Sequence, residues 1–221
     1  MTLVLQYMPQ LLAGLGVTLV VAAASYVIGL VIALAMVLLW TAGGSRTRVA
    51  IGAYVSIVRG LPELLIIFFV FYGGTVLLTA AVGRYVEVSA LTSGIAALGL
   101  VAGAYLTEIL RSALLALPRG QFEAAKSLGL TRIVAFRKVI LPQMLAFALP
   151  GLGNQWLVIL KESALVSIIG LEELMRKSVV AAGSTHAPLT FYLAAAAIYV
   201  CVTGVSTAAL GTVASRQAWR R

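Results

Sequence analysis

The stretch MTLVLQYMPQLLAGLGVTLVVAAASYVIGLVIALAMVLLWTAGGS, residues 1–45, holds no Asp, Glu, Lys or Arg. A helix needs about 20 mostly apolar residues to cross roughly 30 Å of hydrocarbon, so this stretch is long enough to span. Four more charge-free stretches follow: Leu64–Gly83, Val88–Thr107, Val139–Leu160 and Ser178–Ser215, the last holding only His186. Five spans is the natural count. The first and last stretches have length for a hairpin. In the first, however, the turn residues Pro9, Gly14, Gly16 and Gly43-Gly44 sit near the ends. The last opens with polar GSTHAP, residues 183–188, which reads as a loop. Helices are expected near 11–40, 52–82, 91–117, 141–161 and 189–213.

Composition agrees. Of 221 residues, 62% are apolar and 10% charged, against about 45–50% and 25% in soluble domains. A disordered chain and a disulfide scaffold are both excluded, since Cys201 stands alone. The expectation is an all-α, polytopic membrane protein in one transmembrane domain, 1–221. No charge precedes Arg46, and the apolar run far exceeds the roughly 7–15 residues of a signal-peptide core. The first span is therefore expected to be uncleaved.

Lys and Arg in short loops favour the inside. One side collects ten cations: Arg46 and Arg48; Arg119, Lys126, Arg132, Arg137 and Lys138; Arg216, Arg220 and Arg221. The other collects Arg84, Lys161, Arg176 and Lys177, offset by Glu87, Glu162, Glu172 and Glu173. The N-terminus is expected outside and the C-terminus in the cytoplasm. The net charge of +9 then calls for lipid and no nucleic acid.

The longest inside connection, about 118–142, carries helix punctuation. Pro118 suits a first turn, Gly129 a left-handed stop, and Thr131 a cap for a second short helix that Pro142 closes or kinks. Phe122, Ala125 and Gly129 share a face, with Leu128 beside them. An apolar face outside the membrane must be buried, on a cytoplasmic partner, on the chain's own bundle or at the lipid surface.

Glu123-Ala124-Ala125, Gly129 and Ile140-Leu141-Pro142 resemble the signature loop of ABC importer permeases. Four other motifs appear in the same order as in the polar amino-acid branch: Gly14-Leu-Gly-Val-Thr18; Arg59-Gly-Leu-Pro-Glu63 with Phe71-Tyr-Gly73; Ala104-Tyr-Leu-Thr-Glu108-Ile-Leu-Arg111; and Leu149 to Trp156 with Leu160 to Leu174. Glu63 and the run from Lys161 to Glu173 look most like histidine, lysine/arginine/ornithine and opine permeases. The resemblance implies a type I importer permease fold in the cell inner membrane. It implies that Phe122, Glu123, Ala124, Ala125, Leu128 and Gly129 couple to a cytoplasmic ATPase. It implies a dimer of ATPases, a second permease (copy or paralogue) and an external solute-binding protein. No cofactor is expected in this chain: ATP and Mg²⁺ would sit in the ATPase, since no Gly-x-x-x-x-Gly-Lys-Ser/Thr loop is present.

Ionisable side chains at mid-bilayer cost roughly 2.5–3.5 kcal/mol on insertion scales and usually face water or a partner. Arg59 with Glu63 (i, i+4) and Glu108 with Arg111 (i, i+3) read either as self-neutralising pairs on one helix face or as path-lining groups that meet a substrate cation. Lys161, Glu162 and Ser163 read as the outer end of the fourth span, before a seven-residue apolar run that is a gate, a re-entrant turn or part of an interfacial helix with Glu172, Glu173, Arg176 and Lys177 solvated. The resemblance implies that this stretch lines the translocation path. His186 reads as a surface residue, Gly60-Leu61-Pro62 as a packing kink, and Trp40 and Trp219 as interfacial aromatics.

Two other classes fit less well. Intramembrane zinc or aspartyl chemistry lacks its ligands, with one His, one Cys and no Asp. A channel or secondary carrier would leave the punctuated loop without a task.

Overall fold

The computed structural model describes residues 2–218; Trp219, Arg220 and Arg221 lie outside the described residues. Helices occupy most of the chain, and the described residues contain no strand. The helices are α1 (Thr2–Ala42), α2 (Ser45–Gly60), α3 (Glu63–Phe68), α4 (Gly74–Val82), α5 (Ala90–Leu115), α6 (Arg119–Ser127), α7 (Arg132–Ala135), α8 (Leu141–Glu162), α9 (Leu174–Thr185) and α10 (Pro188–Ala218). A π turn, Phe69–Gly73, fuses α3 to α4, and a second, Phe136–Ile140, fuses α7 to α8. A 3₁₀ segment, Ser163–Ile169, prolongs α8.

Five rods are long and apolar enough to span, as expected: Leu3–Ala42, Glu63–Val82, Ala90–Leu115, Ile133–Ile169 and Pro188–Thr212. Their bounds correct the expected ones in three places. Helix α1 starts at Thr2, not near 11, and runs through Pro9, Gly14 and Gly16, which are therefore not turn residues. The rod from 52 to 82 is two pieces. Helix α2 stops at Gly60, and Leu61 (φ −100°, ψ 144°) and Pro62 (φ −59°, ψ 133°) are extended before α3 starts. Proline excludes helical backbone from the residue before it, so this is a break, not a kink. The fourth rod also outruns its charge-free stretch, because the chain carries Lys161 and Glu162 along inside it.

Helix α5 is the most enclosed span and forms the axis of the fold. Against it lies α1, parallel and close, because glycines line the seam. A Cβ on Gly29 would come 2.4 Å from the Ala102 Cβ, and one on Gly99 would come 2.9 Å from Ile28 Cγ2. Without a hydrophobic driving force between helices in lipid, small residues and interhelical hydrogen bonds supply cohesion. Ser25 donates to the Ile95 carbonyl (3.3 Å), Tyr26 to Leu152 (2.9 Å) and Tyr54 to Leu100 (2.7 Å). The core around Leu106, Leu110, Met144 and Ile159 joins α5 to α8.

The connection 118–142 behaves as its punctuation suggests, with refinements. Pro118 stands just before α6, not within it. Gly129 is left-handed (φ 69°) and closes α6, its N–H bonding Lys126 and that of Leu130 bonding Ala125. Pro142 does not close a helix. The π turn before it merges α7 into α8, with the Leu141 N–H reaching back to Phe136. We call the end of the bundle bearing α6 the loop end.

Candidate translocation site and coupling helix

Two groups of expected site residues occupy different levels of the bundle. Along α5, Tyr105 is 15 residues from Ala90, about 22 Å down the helix at 1.5 Å per residue. At that level the break at Leu61-Pro62 separates Arg59 from Glu63. The two do not pair on one helix face, which corrects the i, i+4 expectation. Instead the Arg59 guanidinium stacks over the Tyr105 ring, 5.2 Å from its centroid. Glu63 lies beside the Tyr105 hydroxyl. Glu162 comes from α8 to the same place, within range of Tyr105, Glu63 and Lys161. Arg59, Glu63 and Glu162, read from two separate motifs, thus converge around a tyrosine of a third to which sequence gave no role, with Lys161 beside Glu162 on the exposed side.

The position of Glu162 corrects the reading of it as an outer-end residue. The apolar run after it is the 3₁₀ segment Ser163–Ile169, whose Val166 packs on Gly94 of α5. One carboxylate oxygen of Glu162, Oε2, is buried and has no hydrogen-bond partner among the described residues. A carboxylate so placed calls for a donor. Ser163 is not part of this cluster's polar lining: it is buried, and its hydroxyl donates to the Leu160 carbonyl at 2.7 Å.

Nearer the loop end, Glu108 holds Arg111 through two oxygens, with Nη2–Oε1 and Nη2–Oε2 both 2.8 Å and Nε–Oε2 3.2 Å. This is the self-neutralising pair that the i, i+3 spacing allows. It lines one wall of a cleft of about 200 Å³ between α2 and α5, whose other walls include Trp40, Arg48, Ser56 and Arg59. Trp40 is more than an interfacial aromatic: Arg48 stacks on its ring at 4.7 Å and donates Nε–H to its carbonyl at 3.2 Å.

Glu173 was missed. The alternative that left it solvated fails, because its side chain is wholly buried and caps α9. It accepts from the N–H groups of Met175 (2.9 Å) and Arg176 (2.8 Å) and from the hydroxyls of Thr18 (3.2 Å) and Tyr199 (3.3 Å). Burial pushes its carboxyl up from the usual range, and these four donors pull it back. Thr18 also accepts from the Leu174 N–H at 3.2 Å. One turn before it, Gly14 lets the α1 backbone touch Glu173 and Leu174, where a Cβ would meet backbone at 3.0 Å. The Gly14–Thr18 spacing is one helix turn, and that was the legible signal. Glu172, by contrast, is exposed, and its ion pair with Lys177 holds its carboxyl below the usual range. Glu173→Ala removes the cap and leaves buried donors unpaired. It should lower the melting temperature in detergent by several degrees, while Glu173→Gln, which keeps an acceptor, should lose less; equal melting of both and the parent would dismiss the clamp.

On α6, Ala125 is buried, whereas Phe122, Glu123, Ala124 and Leu128 are exposed. Phe122 is 44% and Leu128 77% exposed, and Ile133 of α7 adds 71%. The helix therefore answers both alternatives: its alanine packs on the chain's own bundle, and its large apolar groups stay free for something else. Gln143 of α8 donates to the Gln121 side chain of α6 at 3.0 Å, tying this helix to the rod that carries Glu162.

A family model described as the binding-protein-dependent transport system inner membrane component matches residues 25–219. The chain belongs to that family. It is 43% identical to the nopaline transport system permease NocQ of Agrobacterium fabrum, over 89% of this chain and 86% of that one. It is 38% identical to the histidine/lysine/arginine/ornithine permease HisQ of Escherichia coli, over 90% of each, and 38% to the arginine permease ArtQ of the same bacterium, over 89% and 90%. A crystal structure of an amino acid ABC transporter with histidines superposes with a TM-score of 0.85, at 32% identity and 96% coverage of both chains. A chain of the methionine transporter MetNI shares the fold at a TM-score of 0.79 and 22% identity. The protein is thus an inner-membrane permease subunit with the type I importer fold.

Proposed function

We propose that this permease carries polar amino acids with cationic side chains, or opines, into the cell, through a path lined by Glu63, Glu162, Tyr105 and Arg59. The observation that carries this reading is the acid pair near mid-span, one of whose oxygens is buried and lacks a donor. A guanidinium or ammonium group supplies that donor and offsets the repulsion between two carboxylates in a poorly screened setting. The names of the relatives support the same cargo. Lys161 restrains the negative charge of the site without cancelling it.

In this reading residues 1–221 form one permease unit, with the loop end in the cytoplasm and the N-terminus outside. Two permease chains, identical or paralogous, frame the path, and an external solute-binding protein delivers the cargo. Two ATPase subunits, holding ATP and Mg²⁺, grip α6 through Phe122, Leu128 and Ile133, with Glu123, Ala124 and Gly129 shaping the helix they grip. Their closure moves α6 and, through Gln121–Gln143, α8. Access alternates between two states biased by ligands at either end.

The test is uptake by the complete transporter in liposomes. Glu63→Gln and Glu162→Gln should each reduce uptake of arginine at least tenfold and of glutamine less than threefold. Loss of both cargoes in equal proportion would make the pair structural and remove the cargo assignment.

A further inference from the structure

We propose that the cleft between α2 and α5 binds the carboxylate of the same cargo, so that the path reads a cation and an anion at two fixed levels. The proposal rests on the acid-pair reading above and adds the second half of the ligand. Three guanidiniums line the cleft, from Arg48, Arg59 and Arg111, against one carboxylate, Glu108. Glu108 is already spent on Arg111 through both oxygens. Among the described residues no carboxylate pairs with Arg48 or Arg59; each rests on an aromatic face, Trp40 and Tyr105 respectively. Ring stacking orients a guanidinium and leaves its N–H edge free, which is the edge that takes a carboxylate in a forked pair. The cleft therefore carries two positive charges, on Arg48 and Arg59, without a carboxylate partner among the described residues.

Its place beside the acid pair fixes what the anion is attached to. Arg59 belongs to both sites. Its guanidinium lies on one face of the Tyr105 ring, whose hydroxyl neighbours Glu63, with Glu162 near enough for its charge to act on both. A molecule whose cation meets the acid pair thus has its other end next to Arg59 and the cleft. The Ser56 side chain adds a hydroxyl on the wall. The cargo class that satisfies both levels has a cationic side chain and a free carboxylate. Decarboxylated amines satisfy only one.

The experiment uses the purified transporter, permease with its ATPase, and measures direct binding by calorimetry. The probes are two pairs that differ by a carboxylate alone: L-arginine with agmatine, and L-histidine with histamine. The variants are Arg48→Gln, Arg59→Gln and Glu162→Gln, each checked for an unchanged melting temperature. Arg48→Gln and Arg59→Gln should weaken the amino acid about tenfold and leave the amine within twofold. Glu162→Gln should weaken amino acid and amine alike. If the arginine variants weaken both members of a pair equally, or neither, the carboxylate cleft is overturned while the acid pair stands. If Glu162→Gln changes neither, or if no probe binds the parent, the acid-pair reading fails and this one falls with it.

Discussion

Gly29→Leu should leave almost no monodisperse protein after detergent extraction. The added Cβ alone would sit 2.4 Å from the Ala102 Cβ, 2.9 Å from the Gly103 nitrogen and 3.0 Å from the Ala102 carbonyl carbon. Two of those three atoms are backbone, so no flexible side chain can swing away. Helix α1 must separate from α5, and with it the interhelical bonds of Ser25 and Tyr26. Overpacking in a yielding core costs about 1–3 kcal/mol; parting the two most closely packed spans costs more. Gly16→Leu is the control. It lies on the same helix, with nothing within 4 Å of a new Cβ, and should give normal yield. Size-exclusion profiles of the two variants side by side decide it, and matching profiles would mean that the glycine seam is not what holds α1 to α5.

The second large effect belongs to α6. Phe122→Asp combined with Leu128→Asp should abolish co-purification of the ATPase and cut uptake at least a hundredfold, while expression and membrane insertion remain normal. Both side chains are exposed, so the substitutions cost the isolated chain little. In a docked groove each would bury a carboxylate against apolar surface. Ala125 is a poor reporter for the same contact, because it is already buried under the chain's own helices. Retained ATPase with lost uptake would place the defect in force transmission; retention of both would exclude this face from docking.

Five spans were legible because hydrocarbon tolerates few charges, and gaps between charges measure helices directly. The same rule misled where a helix carries its charges inside the rod. It ended the fourth span at Lys161, whereas the helical rod continues past Glu162 to Ile169. Arg59 and Glu63 were placed on one face because four residues separate them, yet Pro62 breaks the helix between. Much of the loop was legible, since Pro118 and Gly129 act on their own neighbours. Glu173 was not. Its side-chain partners lie 155 residues away (Thr18) and 26 residues away (Tyr199), and no pattern beside Glu173 itself marks a carboxylate satisfied by donors on two other helices. The arginine cleft was hidden for the same reason: Arg48, Arg59 and Arg111 meet only because α2 crosses α5.

Pro150 stands inside α8 and has no N–H to give to the helix ladder, so bending costs least there. Glu162 hangs twelve residues further on, about 18 Å at 1.5 Å per residue, and Gln143 is tied to α6 on the near side. A swing of about 10° at this joint sweeps Glu162 sideways by about 3 Å. That is the reach of one hydrogen bond, so in the proposed cycle a small tug on α6 is geared to loosen the hold of Glu162 on its passenger.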